Sequence, residues 1–162
     1  MAHAPLRLTI AGGVARITLV EPARGNPIDQ AFCDAFDEVA TECASRADVR
    51  AILIDAEGKY FSVGGDLKLL TSDRAALPAL VAQMGTSLNS GIVKLAVADA
   101  PVVVSVHGLA AGGGVGLTAA ADFVFAAPHV QFYAAFAAIG FSADCGCTNV
   151  TLGKQPVIFN GR

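Results

Sequence analysis

Between Ala100 and Ala121 the chain carries no charged side chain apart from the titratable His107, and that stretch decides what kind of molecule can form. It is long enough to cross a bilayer as a helix. Gly108, Gly112 and Gly116 even stand at the spacing that lets membrane helices pack. Two features argue the other way. Pro101 opens a β-branched run of Val102, Val103, Val104 and Val106, and Gly112, Gly113 and Gly114 follow without a break. Branched side chains lose freedom in a helix and suit a pleated sheet, while adjacent glycines favour a tight turn over a continuous apolar helix. The stretch therefore reads as a buried strand, a glycine turn and the start of a new helix.

The rest of the chain follows the same grammar. Residues 7–10 and 14–20 are β-rich runs around Gly12 and Gly13, which predicts an antiparallel hairpin. A loop follows at residues 21–27. Phe32, Phe36, Val39, Ala40 and Cys43 then recur at helical spacing behind Asp29, predicting an amphipathic helix to about Ser45. Residues 51–54 form an unbroken apolar run, as in a strand buried on both faces. After a loop at 57–65, Leu77, Leu80, Val81, Met84, Leu88, Ile92 and Leu95 mark a long helix leading to Pro101. Beyond the strand at 102–106, a helix from Gly113 to about Ala121 and a strand at 123–126 continue the alternation. Such alternation predicts an α/β architecture: an N-terminal hairpin, then mostly parallel strands separated by helices with right-handed crossovers.

With 162 residues, 54% hydrophobic and 15% charged, the chain can bury one sizeable core. We expect that core over residues 1–148 and a divergent tail over 149–162, in which Val157, Ile158 and Phe159 could form a short strand or an ordered arm. A net charge of -3 without a Lys/Arg cluster offers no footprint for nucleic acid. Residues 1–8 lack the apolar core of a secretory signal, so a cytoplasmic protein without a membrane partner is expected. Cys33 and Cys43 lie inside a helical pattern, and Cys145 and Cys147 lack a second ligand pair, so reduced thiols are expected and no metal site.

Two segments carry the chemistry: Phe61-Ser62-Val63-Gly64-Gly65-Asp66-Leu67 and His107-Gly108-Leu109-Ala110-Ala111-Gly112-Gly113-Gly114. Each follows an expected strand and opens an expected helix. Turns of that kind leave backbone N–H groups unpaired and pointing outward. Two such turns could converge on one oxygen, the arrangement that stabilises an enolate or tetrahedral oxyanion without reorganising as charge develops. Glycine permits the close approach and any positive φ; the plainer alternative is a pair of tight turns. A dinucleotide loop fits poorly, because GxGxxG spacing and a Walker lysine are both missing.

These segments in this order resemble the enoyl-CoA hydratase/isomerase, or crotonase, family over about residues 6–144. The resemblance is carried by Arg24-Gly25-Asn26-Pro27, residues 61–67, Pro101 through Gly108, Gly112-Gly113-Gly114 and Ala121-Asp122-Phe123. It implies a crotonase-like ββα spiral core and a coenzyme A thioester as substrate, with no further cofactor. It also implies that the amides of Gly65 and Gly113 form the oxyanion hole. Backbone from Val63 through Gly64 and Asp66 to Leu67 would receive the adenine, with Arg24 and Lys68 as phosphate contacts or plain surface charges, and Gly112 and Phe136 as further substrate-binding residues. Asp66 reads better as a helix-start residue than as a base, and His107 as a hydrogen-bonded structural histidine.

The resemblance also exposes departures. The two glutamates of a hydratase of this family fall at Gly116 and Phe136 here. Neither can move a proton, and one such group is typically worth about a hundredfold to ten-thousandfold in rate. Asp144, where some isomerases of the family place an aspartate, is the remaining candidate base; a helix cap or turn is its other reading. Family members continue through further helices that cover the acyl pocket, so the helical C-terminal part is expected to be missing here. Exposed apolar surface would then favour a homo-oligomer, a trimer or hexamer by resemblance. Three functions stay open: isomerisation of an enoyl-CoA, a non-catalytic acyl-CoA binder or assembly subunit, or hydrolase or decarboxylase chemistry on the same oxyanion hole.

Overall fold

A computed structural model describes residues 5–134 and the backbone of residues 157–159. Its frame is a six-stranded sheet in the order β1-β2-β4-β6-β8-β10. β1 (Leu6–Ala11) and β2 (Val14–Leu19) form the expected antiparallel hairpin around Gly12 and Gly13, both at positive φ. Every later neighbour pairs in parallel: β2 with β4 (Ala51–Ala56), β4 with β6 (Val102–Val106), β6 with β8 (Phe123–Ala126), and β8 with β10 (Val157–Phe159). The tail segment thus takes an edge of the sheet, with Ile158 opposite Phe125.

Two helices cover one face of that sheet. α1 (Gln30–Ser45) begins where Asp29, as N-cap, accepts from the Phe32 amide at 3.0 Å. It buries Phe32, Cys33, Phe36, Ala40 and Cys43, the stripe expected from its spacing. Burial pushes the Cys43 thiol up to about 11, which leaves it protonated at neutral pH. α3 (Leu77–Ala96) lies along α1 and buries Met84, Leu88 and Leu95. Gly91 is the contact point: a side-chain carbon there would stand 2.6 Å from Phe36 Cδ1. No helix among the described residues is long and apolar enough to cross a membrane.

Two local expectations are corrected. β4 alternates, with Ile52 and Ile54 buried but Leu53 and Asp55 only partly covered. The outer face of the sheet is mixed: Arg16 pairs with Asp55 there, and Phe123 and Phe125 stay exposed. α4 (Gly113–Ala119) stops short of Ala121. The reason is tertiary, since Asp122 accepts from the Val102 amide at 2.7 Å and donates its own amide to the Val102 carbonyl at 2.9 Å, drawing the chain into β8.

At one end of the frame a second, smaller layer forms. β3 (Pro27–Ile28) pairs with β5 (Gly64–Gly65), and β7 (Ala110–Ala111) with β9 (Phe132–Tyr133), both in parallel. A single bridge between Ser62 and Ala110 joins the two pairs. This layer brings both glycine turns to one place.

Candidate active site

The first glycine turn runs through β5 into α2 (Leu67–Ser72), the second through β7 into α4. They are in direct contact. Ala111 donates its amide to the Ser62 carbonyl at 2.9 Å, and Phe61 and Ser62 donate theirs to the Leu109 carbonyl at 3.0 and 3.1 Å. Gly64 sits at φ 81° with no room on its far side: a Cβ would lie 2.6 Å from the Ala111 carbonyl oxygen. The glycine is required twice over, for its backbone conformation and for the closeness of the neighbouring chain.

Which amides remain outward follows from the pairing. Asp66 donates across to Ile28, so the alternation of an extended strand turns the Gly65 amide away from β3. Gly113 is the first residue of α4, where an amide has no intrahelical acceptor. Gly112, in contrast, spends its amide on the Tyr133 carbonyl at 2.9 Å.

Beside the first turn lies a cavity of about 440 Å3, lined by Ala23, Arg24, Pro27, Val63, Gly65, Asp66, Leu67 and Lys68. Five substrate-binding candidates, Arg24, Val63, Asp66, Leu67 and Lys68, therefore share one wall with Gly65. Gly64 and Gly112 stand against each other, and a Cβ on Gly113 would meet Ile28 Cδ1 at 2.9 Å. Phe136 and Asp144 lie outside the described residues. Gly116 is buried within α4. His107 is structural as expected, its Nε2 donating to the Gly58 carbonyl at 2.8 Å.

The wall is held by a charged clamp. Asp66 caps α2, its Oδ1 accepting from the Lys68 and Leu69 amides at 3.0 and 3.2 Å, which is the helix-start role expected of it. Its other oxygen accepts from Arg24 Nη2 at 2.8 Å, and the same nitrogen donates to Asp29 Oδ2 at 2.8 Å. Arg24 thus ties together the caps of α1 and α2, while its Nη1 is held by Glu21. Of the two cations lining the cavity, Lys68 alone has no ion pair among the described residues.

The Arg24 guanidinium, and after it the capped amides, hold the Asp66 carboxyl below its ordinary value of 3.8. A carboxyl with a depressed folded value contributes stability above the unfolded value and loses it as the pH falls through the folded one. The α2 cap should therefore survive acidification to about pH 3.8 and open only below it. Hydrogen exchange at the Lys68 and Leu69 amides checks this, and in Arg24→Gln the opening should move up toward that ordinary value. An unchanged opening pH in the variant would show that Arg24 does not set it.

Asn26 and Ser62 are the structural residues that sequence reasoning passed over. Asn26 is 2% exposed at φ 54°, and its side chain accepts from the Glu21 amide and donates to the Glu57 and Tyr60 carbonyls at 2.9 to 3.0 Å. Asparagine is enriched at positive φ, and its place between Gly25 and Pro27 was the available signal. Ser62 is fully buried, with its hydroxyl between the Asn26 carbonyl and the Gly64 amide.

Comparison with known proteins decides the ancestry, for the profile of the enoyl-CoA hydratase/isomerase family matches residues 9–155. The chain belongs to the enoyl-CoA hydratase/isomerase family. Among curated relatives of this family, it is 32% identical to trans-2-decenoyl-[acyl-carrier-protein] isomerase of Streptococcus mutans, over 85% of this chain and 52% of that protein. It is 34% identical to carnitinyl-CoA dehydratase of Salmonella arizonae, over 87% of this chain and 52% of that protein. The chain therefore spans about half the length of the curated relatives it matches. Its fold is that of the enoyl-CoA hydratase from Mycobacterium avium subsp. paratuberculosis K-10, with a TM-score of 0.83, 25% identity and coverage of 96% of this chain and 61% of that one. A Thermobifida fusca YX protein assigned as an enoyl-CoA hydratase and solved in complex with CoA gives 0.80, with 28% identity and coverage of 92% and 60%. The α/β spiral expected from the sequence is thus the family's fold.

Proposed function

We propose that this member of the enoyl-CoA hydratase/isomerase family binds acyl-CoA thioesters and isomerises an enoyl chain. The observation that carries the reading is the contact between the two glycine turns, Gly64 against the Ala111 carbonyl, beside a cavity into which Gly65 opens. The thioester oxygen rests between the amides of Gly65 and Gly113. Two fixed donors stabilise negative charge there better than water, because they need not reorient as it develops.

Lys68, unpaired at the cavity wall, takes a phosphate of coenzyme A, while Arg24 is committed to its three carboxylates. In the reaction Asp144 removes a proton from the acyl chain, the C–H electron pair moves into the conjugated system, and the thioester oxygen becomes an enolate. Return of the proton from Asp144 to the other end of the allylic system shifts the double bond. Hydration is disfavoured, since Gly116 offers no side chain to orient water.

The test is to mix the purified protein with a panel of enoyl-CoA esters and follow double-bond position. A shift is expected that disappears in Asp144→Ala and persists in Ser142→Ala. The buried Gly116 favours a second reading, a binder without turnover, which calorimetric binding of CoA esters with no product would establish. Absence of both binding and turnover would reject both.

A further inference from the structure

We propose that the Ser62 hydroxyl is a positioning group for the thioester site, aiming the Gly65 amide; the inference rests on the acyl-CoA reading above. Ser62 touches three segments at once. Its hydroxyl donates to the Asn26 carbonyl at 2.8 Å, in the loop that precedes α1, and accepts from the Gly64 amide at 3.1 Å, in its own turn. Its peptide group donates to the Leu109 carbonyl and accepts from the Ala111 amide, in the second turn. The residue has no solvent exposure, so none of these groups can exchange its partner for water.

The chemistry of the position is restrictive. A hydroxyl on a one-carbon stem donates and accepts at once, and alanine or valine would strand a buried amide and a buried carbonyl. Gly114 packs closely on this side chain, since a Cβ there would stand 2.8 Å from Ser62 Cβ and 3.2 Å from its Oγ. What the hydroxyl holds matters more than what it fills. Gly64 sits at φ 81° and, lacking a side chain, resists rotation weakly. Its rotation would swing the next peptide, whose N–H is that of Gly65. Holding the Gly64 amide against the Asn26 carbonyl fixes the peptide that precedes Gly64 and so narrows that freedom, and the Gly65 donor keeps its aim before the substrate arrives.

The probe is an aryl-acryloyl-CoA whose conjugated chromophore moves to longer wavelength when its carbonyl is polarised. The wild-type protein should red-shift it on binding. Ser62→Ala should still bind the probe but lose most of the shift, because affinity comes largely from the CoA moiety and polarisation from the aimed amides. A full wild-type shift in a folded Ser62→Ala protein would overturn the role of Ser62 and leave the acyl-CoA reading standing. No shift in the wild type would instead remove that reading. If Ser62→Ala does not fold, Ser62→Cys, which keeps the shape with a weak sulfur donor, is read by the same signal and should show a diminished shift. Failure of both variants to fold would also overturn the proposal, since Ser62 would then hold the fold and not the aim.

Discussion

Replacing Gly64 with alanine should cost the protein roughly 2–5 kcal/mol, the sum of a left-handed backbone penalty of about 1–2 kcal/mol and an overpacking penalty of about 1–3 kcal/mol. Both parts are visible at the site. The residue lies at φ 81°, and the added methyl would stand 2.6 Å from the Ala111 carbonyl oxygen, with the Gly112 Cα also within 3.4 Å. These neighbours are backbone atoms, so they cannot rotate away as a side chain would. Relief requires the two turns to separate. Gly12 supplies the control, because it also has a positive φ, 60°, but nothing within 4 Å of its would-be methyl.

Chemical denaturation of the pair separates strain from contact. Gly12→Ala should lose only the backbone part, and a Gly64→Ala loss no larger than that would mean the turns do not press on each other. Binding should suffer along with stability. Parting the turns would shift the Gly65 amide relative to that of Gly113. On the acyl-CoA reading, affinity for a thioester should then fall by at least tenfold, the equivalent of about 1.4 kcal/mol.

Asn26→Ala should also cost stability, by about 1–3 kcal/mol, the cost of one fully buried stranded group, because the three groups it releases are only partly buried. Three backbone groups lose their partner at once: the Glu21 amide and the carbonyls of Glu57 and Tyr60. Alanine also fits φ 54° less well than asparagine does. Asn26→Gly relieves the backbone but not the hydrogen bonds, so it should recover only a minor part of the loss. Asn26→Asp keeps the acceptor for Glu21 but sets an oxygen against two carbonyls, and it should resemble alanine. Urea titrations of the three variants decide the matter: a loss in Asn26→Ala below about 1 kcal/mol would show that water replaces the side chain. The loop that Asn26 anchors also carries Arg24 and Pro27, so the cavity wall should loosen with it.

Local signals were legible wherever a residue acts on its near neighbours. Asp29 and Asp66 cap their helices by reaching two or three residues ahead, and such caps leave a mark in the adjacent sequence. The hairpin at Gly12 and Gly13, the stripe of α1 and the strand-turn-helix order around each glycine turn are of the same kind. Contacts of long separation were not legible. Arg24 reads as a free cation along the chain, yet one of its carboxylates is Asp66, 42 residues away. The Ser62 hydroxyl meets a carbonyl 36 residues away. The end of α4 depended on Asp122 reaching Val102, 20 residues away. Phe136 and Asp144 fall outside the described residues, so their roles rest on the proposed chemistry.

The chain alone determined that strands and helices alternate, that two glycine-rich turns face the same end of a parallel sheet, and that no glutamate stands at position 116. Those properties follow from side-chain shape, periodicity and the absence of a Cβ, all of which act over a few residues. Only the tertiary structure decided that the turns touch, that Arg24 is a clamp between helix caps, and that Ser62 and Asn26 hold the junction. The reason is that a hydrogen bond between distant segments needs their atoms within about 3 Å, a distance that no local preference sets.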